Sequence, residues 1–376
     1  MAFQIAVLKE TQADECRVAM VPSQLARFAK LGAKVVVERG AGVAARFRDT
    51  DYKDVEFQDD PKSLVAAADV VLAVQPPAPD VVAAMKPGAW LLSFVYPQKV
   101  PALLPVLRDH KVSCFALETV PRISRAQAMD ALSSQSALSG YYAPLLGAVN
   151  LPRILPMMTT AVGSLRAAQV LVMGLGVAGL QAAATAKRLG AVVEGYDVRP
   201  ETREQAQSVG AKFVDTGINA TGEGGYAREL TPEEQAKAAE VLTRHIQSAD
   251  LIITTANVPG RKAPQLVSRA QIEGMKSGSV IVDLAADSGC NCEGAEPGKD
   301  TVIGPTLVLA PFNVPSKLAQ HASELYCKNL LNLLELIVKD GAIAPDLSDE
   351  VVAGTLLSHD GKILNAAAAA ILAKEA

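Results

Sequence analysis

Histidine is scarce in this chain. Only four occur, at 110, 245, 321 and 359, and none falls near a motif that would line a cleft. His245 and His321 sit in helical patterns, where a surface or packing role is the expectation. A centre that must relay a proton usually does so with His, Lys or Glu, so this poverty argues against ordinary acid–base chemistry. The five cysteines are scattered, and only Cys290 and Cys292 lie close, as C-x-C with no second pair or neighbouring His. That spacing does not make a zinc site, and reduced thiols are expected. No run of basic residues exists and the formal net charge is −4, which makes nucleic acid an unsuitable partner. No stretch approaches the ~20 apolar residues that a bilayer span requires. The best run, Leu330 to Val338, is interrupted by Asn332 and Glu335, so no direct membrane insertion is expected. The opening MAFQIAVLKE has no basic region ahead of an apolar stretch and predicts no secretory leader.

A chain of 376 residues, 49 % hydrophobic and 20 % charged, is expected to form a soluble protein of two domains. Short apolar runs alternate with helical stretches from residue 3 onward. The first series holds strand candidates at 3–7, 33–38, 69–74, 89–95 and 111–117, with helices such as Ser23 to Leu31 and Val81 to Lys86 between them. Continuous apolar strands separated by helices indicate a parallel sheet covered on both faces. No glycine fingerprint follows its first strand. A second series supplies candidates at 169–173, 191–197, 211–215, 250–256, 278–284 and 306–310, with helices at Ala178 to Leu189 and Pro232 to Gln247. Strands that begin at Asp69 and Asp250 occupy similar places in the two series, a weak internal resemblance. A long amphipathic helix over Pro315 to Val338 and an alanine-rich one over Ala366 to Lys374 close the chain. The expected fold is α/β: two doubly wound Rossmann-like domains, the first discontinuous and closed by C-terminal helices. Its boundaries are 1–135 with 316–376, and 136–315. In such folds a ligand cleft lies outside the carboxyl ends of the strands, here expected between the domains.

The stretch VLVMGLGVAGLQAAATAKRLGA reads as strand, Gly174-x-Gly176-x-x-Gly179, then amphipathic helix. Gly174 permits the tight turn, Gly176 lets the backbone approach a pyrophosphate, and Gly179 lets helix and strand pack closely. Free N–H groups at the helix start meet the phosphate charge. The next strand ends in Asp197, 18 residues after Gly179. A carboxylate there accepts from both ribose hydroxyls and repels a 2′-phosphate, which favours NAD; Arg199 is either a solvated residue or a direct contact. The loop TGINATGEGGY, 216–226, holds four glycines and an aromatic, either a lid or a plain surface loop.

The most unusual segment is PRISRAQAMDALSSQSALSGYY, 121–142. Arg122, Arg125, Gln127, Asp130, Ser133, Ser134, Gln135 and Ser136 fall within 15 residues, with no His, Cys or Lys. Such groups hold a flat polar ligand by geometry and are poorly suited to moving protons. The plain alternative is a capping box, Ser124-x-x-Gln127, opening a helix of small residues. That alternative leaves Arg122, Arg125 and Asp130 unexplained. Hydride transfer between two nicotinamides needs no proton at the reaction centre, so the lack of bases is compatible with it.

These segments, together with YDVRPETREQAQSVGAKF, VIVDLAADSGCNCE and NVPSKLAQHASELYCKNLLNLL, resemble the NAD(H)-binding components of proton-translocating nicotinamide nucleotide transhydrogenases, relatives of the alanine dehydrogenases. The resemblance covers nearly the whole chain, whose length is similar to that of the separate alpha-1 subunits. It implies a homodimer that binds NADH and docks with an NADP(H)-binding membrane beta subunit and a small membrane alpha-2 subunit. It also implies a cytoplasmic place, peripheral on the inner face of the cell membrane. Hydride would pass directly from NADH to NADP+ on the partner, coupled to proton translocation. By the family motif Arg122, Gln127, Asp130 and Ser133 would orient the nicotinamide, with Gln127 also reaching toward NADP(H) and Arg125 among the cofactor contacts. Val177, Asp197, Val198 and Arg199 match NAD-contacting positions, and Gly225 with Tyr226 match the tip of a mobile loop. Asn257 stands beside the cofactor where an apolar residue is usual, and Tyr142 where Arg is common. Alanine dehydrogenases carry a substrate Lys and a catalytic His where this chain has Gln75 and Tyr96, although Arg17 matches their substrate arginine.

Overall fold

The computed structural model describes residues 3–221, 228–257 and 262–375. They divide into two compact units, one of Met1–Gln135 with Pro315–Ala376 and one of Ser136–Val314. Among the described residues no helix is long and apolar enough to cross a membrane.

In the first unit the apolar runs form β1 (Phe3–Val7), β2 (Ala33–Glu38), β3 (Glu56–Gln58), β4 (Val70–Leu72), β5 (Trp90–Ser93) and β6 (Ser113–Ala116). All six pair in parallel in the order β6-β5-β4-β1-β2-β3, which reverses at β1. Alternate side chains enter opposite cores, as the pleat requires. Ile5, Val7, Val37, Leu72, Leu92 and Phe115 belong to one, while Ala6, Val36, Val71, Leu91 and Cys114 belong to the other. The C-terminal chain completes this unit. Strand Leu356–His359 runs antiparallel beside β6 and pairs outward with Lys362–Ile363. Helix Ala319–Ile337 places Tyr326, Leu330, Leu333, Leu334 and Ile337 in the first core, the i, i+3, i+4 rhythm of an amphipathic helix.

The second unit contains a hairpin of β7 (Met158–Thr160) and β8 (Gly163–Leu165), followed by the main sheet. That sheet comprises β9 (Gln169–Met173), β10 (Val192–Tyr196), β11 (Lys212–Phe213), β12 (Leu251–Thr254), β13 (Val280–Asp283), β14 (Asp300–Ile303) and β15 (Thr306–Leu309). Its order is β11-β10-β9-β12-β13-β15-β14, parallel except for the β14 edge, and it reverses at β9. Both sheets are therefore doubly wound and Rossmann-like.

The resemblance between Asp69 and Asp250 has a physical basis. Asp69 accepts the N–H of Gln4 at 2.7 Å and pairs with Lys86 at 2.6 Å. Asp250 accepts the N–H of Gln169 at 2.8 Å and pairs with Lys276 and Arg153, each at 2.9 Å. In both units the acid ties the strand across the reversal to the first strand and meets the charge of a following lysine. Burial pushes the pKa of Asp250 up, but the Gln169 N–H and the Lys276 and Arg153 charges outweigh it and hold the carboxyl below its ordinary value.

Candidate functional site

The glycine turn is built by local backbone demands. Gly174 follows β9 with φ 94°, in the left-handed region. A Cβ on Gly179 would stand 1.7 Å from the Gly174 carbonyl oxygen, so helix Val177–Arg188 can approach the turn only with glycine there. Thr255 Oγ1 donates to the same carbonyl at 2.9 Å and ties the turn to the exit of β12. Gly176 differs: nothing lies within 4 Å of the place its Cβ would take. It is the N-cap of the helix, no side chain caps that end, and such N–H groups attract an anion. An open approach, a tight turn and an uncapped helix start fit a pyrophosphate.

Asp197 stands at the end of β10 and is buried. It accepts the Leu175 N–H at 2.7 Å, the Arg199 N–H and Nε at 2.9 Å each, and Arg199 Nη2 at 2.7 Å. The carboxylate is thereby fixed to the glycine turn. Arg199 lies on that acid, whose hydrogen bonds raise its pKa against the opposing effect of burial. Val198 packs on the second unit's core, and its carbonyl accepts from Ala220 N–H at 2.9 Å. Val177 and Asn257 are exposed. Gly225 and Tyr226 lie outside the described residues. The flanks of that loop are anchored: Arg228 N–H donates to the Ala220 carbonyl at 2.9 Å, and its guanidinium pairs with Glu234 at 2.7 Å.

Sequence reasoning missed a clamp on the segment after β12. Asn291, fully buried, donates to the carbonyls of Ala256 and Pro264, both at 2.8 Å, and accepts the Ala256 N–H at 3.1 Å. Its own N–H goes to Asp283 at 2.7 Å. The available signal was an acid ending an otherwise apolar buried strand.

The polar segment lies in the first unit as far as Gln135, and there the capping-box expectation is corrected. Ser124–Met129 is a 3-10 helix whose N-cap is Ile123, with no side-chain cap. The long helix starts later, at Ala131, and extends to Asn150. Asp130 caps it, accepting Ser133 N–H at 2.8 Å and Ser133 Oγ at 2.6 Å. Asp130 and Ser133 are thus brought together, and both have an architectural role. Arg122 and Gln127 are exposed. Arg125, expected at the cofactor, donates both terminal nitrogens to Asp349 at 2.9 Å each. Asp349 in turn caps helix Glu350–Thr355, and the Arg125 pairing leads the effects that lower its carboxyl to about 2.

Behind this segment lies a buried network that sequence reasoning did not foresee. Arg17 grips Glu15 through Nε at 2.8 Å and Nη2 at 2.6 Å, and donates Nη1 to Gln135 at 3.0 Å. Gln75 Nε2 and Ser316 Oγ also donate to Glu15, at 2.8 and 2.6 Å. Burial pushes Glu15 up, yet Arg17, Ser316 and Gln75 overcome it and bring the carboxyl down to about 2. Glu10 nearby goes the other way. Burial outweighs the N–H groups of Val74 and Gln75 that it accepts, and its carboxyl is pushed up to about 8. A cavity of about 300 Å³ is lined by Lys9, Glu10, Glu15, Arg17 and the 40–44 turn. Tyr96, after β5, has φ 47°, and its N–H is held by Glu118 at 2.5 Å.

Two stretches of this chain match protein families. Residues 6–139 match the family described as alanine dehydrogenase/PNT, N-terminal domain, and residues 143–366 match alanine dehydrogenase/PNT, C-terminal domain. The chain belongs to the alanine dehydrogenase/PNT family. Within it, the chain is 44 % identical over 378 residues to the first segment of NAD(P) transhydrogenase subunit alpha of Rhodospirillum rubrum, covering 97 % of this chain and 98 % of the relative. The crystal structure of transhydrogenase from Sinorhizobium meliloti superposes with a TM-score of 0.85 at 38 % identity, over 97 % of this chain and 99 % of that one. Alanine dehydrogenase of Mycolicibacterium smegmatis is more distant, 26 % identical over 97 % of this chain and 95 % of the relative. In sequence the chain therefore stands on the transhydrogenase side of its family.

Proposed function

We propose that this chain is the NAD(H)-binding component of a proton-translocating nicotinamide nucleotide transhydrogenase. The observation that carries the reading is 44 % identity to the first segment of a transhydrogenase alpha subunit along 97 % of the chain. The open face of Gly176 supports the cofactor assignment. Bound NADH supplies a hydride at its nicotinamide ring, which goes to NADP+ on a partner subunit. Gly176 and Val177 receive the pyrophosphate on the turn that Gly174 and Gly179 shape, and Asp197, Val198 and Arg199 hold the adenosine ribose. Asn257, two residues after the Thr255 that ties the turn, joins them by the family resemblance, as do Gly225 and Tyr226, which lie outside the described residues. Arg122, Gln127, Asp130 and Ser133 orient the nicotinamide, while Arg125 steadies their segment through Asp349. These groups position and do not exchange protons, which suits transfer between two nicotinamides.

A substrate dehydrogenase is disfavoured by Arg17. In the resemblance it is the residue that would take a substrate carboxylate, but here Glu15 and Gln135 occupy it. Gln75, where those enzymes carry Lys, donates to the same Glu15.

The partners in this reading are an NADP(H)-binding membrane beta subunit and a small alpha-2 subunit, through which protons cross the membrane. They hold the chain on the cytoplasmic face. The exposed apolar residues Met157, Val162 and Leu165 at the β7–β8 hairpin support a homodimer. The test mixes the purified chain with NADH, then adds an NADP(H)-binding component loaded with NADP+. Rapid hydride transfer is expected, and no turnover with pyruvate and ammonia. NADH binding without transfer would overturn the reading. Gln127→Asn should slow transfer by about 10-fold or more while leaving the NADH Kd near the wild-type value.

A further inference from the structure

The segment that carries Gln127 and Asp130 is held from a distance. We propose that Asn329, in helix Ala319–Ile337, is a positioning residue for hydride transfer, acting through Ala128 and Ser134 on the residues between them. The inference rests on the transhydrogenase reading for the role of Asp130 and Ser133, and of Gln127 next to Ala128.

Asn329 is buried. Its Nδ2 donates to the Ala128 carbonyl at 2.9 Å, and its Oδ1 accepts from Ser134 Oγ at 2.7 Å. One short side chain therefore bridges the end of the 3-10 turn and the first turn of the long helix. Asp130 and Ser133 lie inside that bridge, bonded to each other. A buried amide that satisfies both its donor and its acceptor tolerates little displacement, because losing either bond leaves a desolvated polar group. Asn332 also donates to the Ala128 carbonyl at 2.9 Å, but that bond is exposed and water can replace it. Ser134 extends the bridge inward: it accepts from Gln135 Nε2 at 3.2 Å, and Gln135 meets Arg17. The segment therefore has an outer face, where Arg122 and Gln127 are exposed, and a buried inner attachment at Asn329. Groups that align two rings need such an attachment, since misplacement by about 1 Å can cost about 100-fold in rate.

The experiment compares Asn329→Ala, Ser134→Ala and Asn332→Ala in the full chain. Three quantities are measured: NADH Kd, the fluorescence of bound NADH, and single-turnover transfer to NADP+ on the partner component at saturating NADH. Asn329→Ala should slow transfer about 10-fold or more and change bound-NADH emission, with Kd within about 3-fold of wild type. Ser134→Ala should move the same readouts by less, and it decides the matter if Asn329→Ala does not fold. Asn332→Ala should stay within about 2-fold, because Asn329 still holds the carbonyl. Parallel losses in Kd and rate, or wild-type emission and rate in both bridge variants, would overturn the positioning role. Should the wild-type chain bind NADH and transfer nothing, the transhydrogenase reading fails, and the emission of bound NADH still decides the role of Asn329.

Discussion

Gly140 lies against Ala178 so closely that a Cβ on it would stand 2.1 Å from the Ala178 carbonyl oxygen. Gly140 belongs to helix Ala131–Asn150, and Ala178 to the first turn of the helix that follows the glycine motif. Pro144, four residues on, has no N–H for the Gly140 carbonyl. The contact is backbone against backbone and cannot be relieved by a rotamer change. Gly140→Ala should destabilise the second unit by about 1–3 kcal/mol, the usual cost of overpacking. An unchanged denaturant midpoint would show that the helices separate at no cost.

Gly176→Ala should do the reverse. Its Cβ would enter open space, and its φ of −78° suits alanine, so the stability cost should not exceed about 1 kcal/mol, that of alanine at an N-cap. The methyl would occupy the face on which a pyrophosphate must approach. NADH affinity should fall by about 10-fold or more in a fluorescence titration. Retained affinity would remove the glycine turn from the cofactor site.

Asp197→Asn should alter the choice of dinucleotide. The variant removes the charge that now holds Arg199 at 2.7 Å, and with it the repulsion of a 2′-phosphate. The ratio of NADPH to NADH affinity should rise by about 10-fold or more. Equal loss for both dinucleotides would show that Asp197 only braces the turn through Leu175.

Glu10 gives the chain a pH signature. Its folded pKa of about 8 lies above the ordinary 4.5, so between these values the folded chain holds a proton that the unfolded chain releases. This group's contribution to stability therefore declines as pH rises from about 5 to 8. Glu10→Gln should flatten that decline in the thermal midpoint. Glu15, lowered to about 2, has the opposite sign: its contribution is present above 4.5 and is lost as pH falls toward 2. A Glu10→Gln profile parallel to wild type would mean that Glu10 is ionised in the folded chain.

What could be read from the residues was what local chemistry decides. The expected strands at 3–7, 33–38 and 169–173 coincide with β1, β2 and β9, because short, largely apolar runs have one comfortable place in a covered parallel sheet. The glycine turn was legible for the same reason, since strand, turn and helix are contiguous. Edge pieces were not. β3, β14 and the strand at Lys362–Ile363 are two to four residues long, and an edge strand needs few apolar positions. The start of the long helix was misplaced because Ser124 fits the local capping pattern while the competing turn is fastened from outside. Its holders, Asn329 and Asn332, lie 201 and 204 residues from Ala128. Arg125 meets an acid 224 residues away. Partners at such separations leave no periodic trace in the chain.

The hairpin that the C-terminal chain adds to β6 has a consequence for synthesis. During translation, residues 3–135 emerge before the rest of their own unit, yet their sheet is finished by Leu356–His359 and their core by Ala319–Ile337. The second unit has all its strands between 158 and 309 and can close earlier. The first unit must wait, with the free edge of β6 and the apolar side chains of its inner face uncovered. A part made before the second unit is thus sealed after it, and its exposure to aggregation is set by how soon residues 319–363 follow.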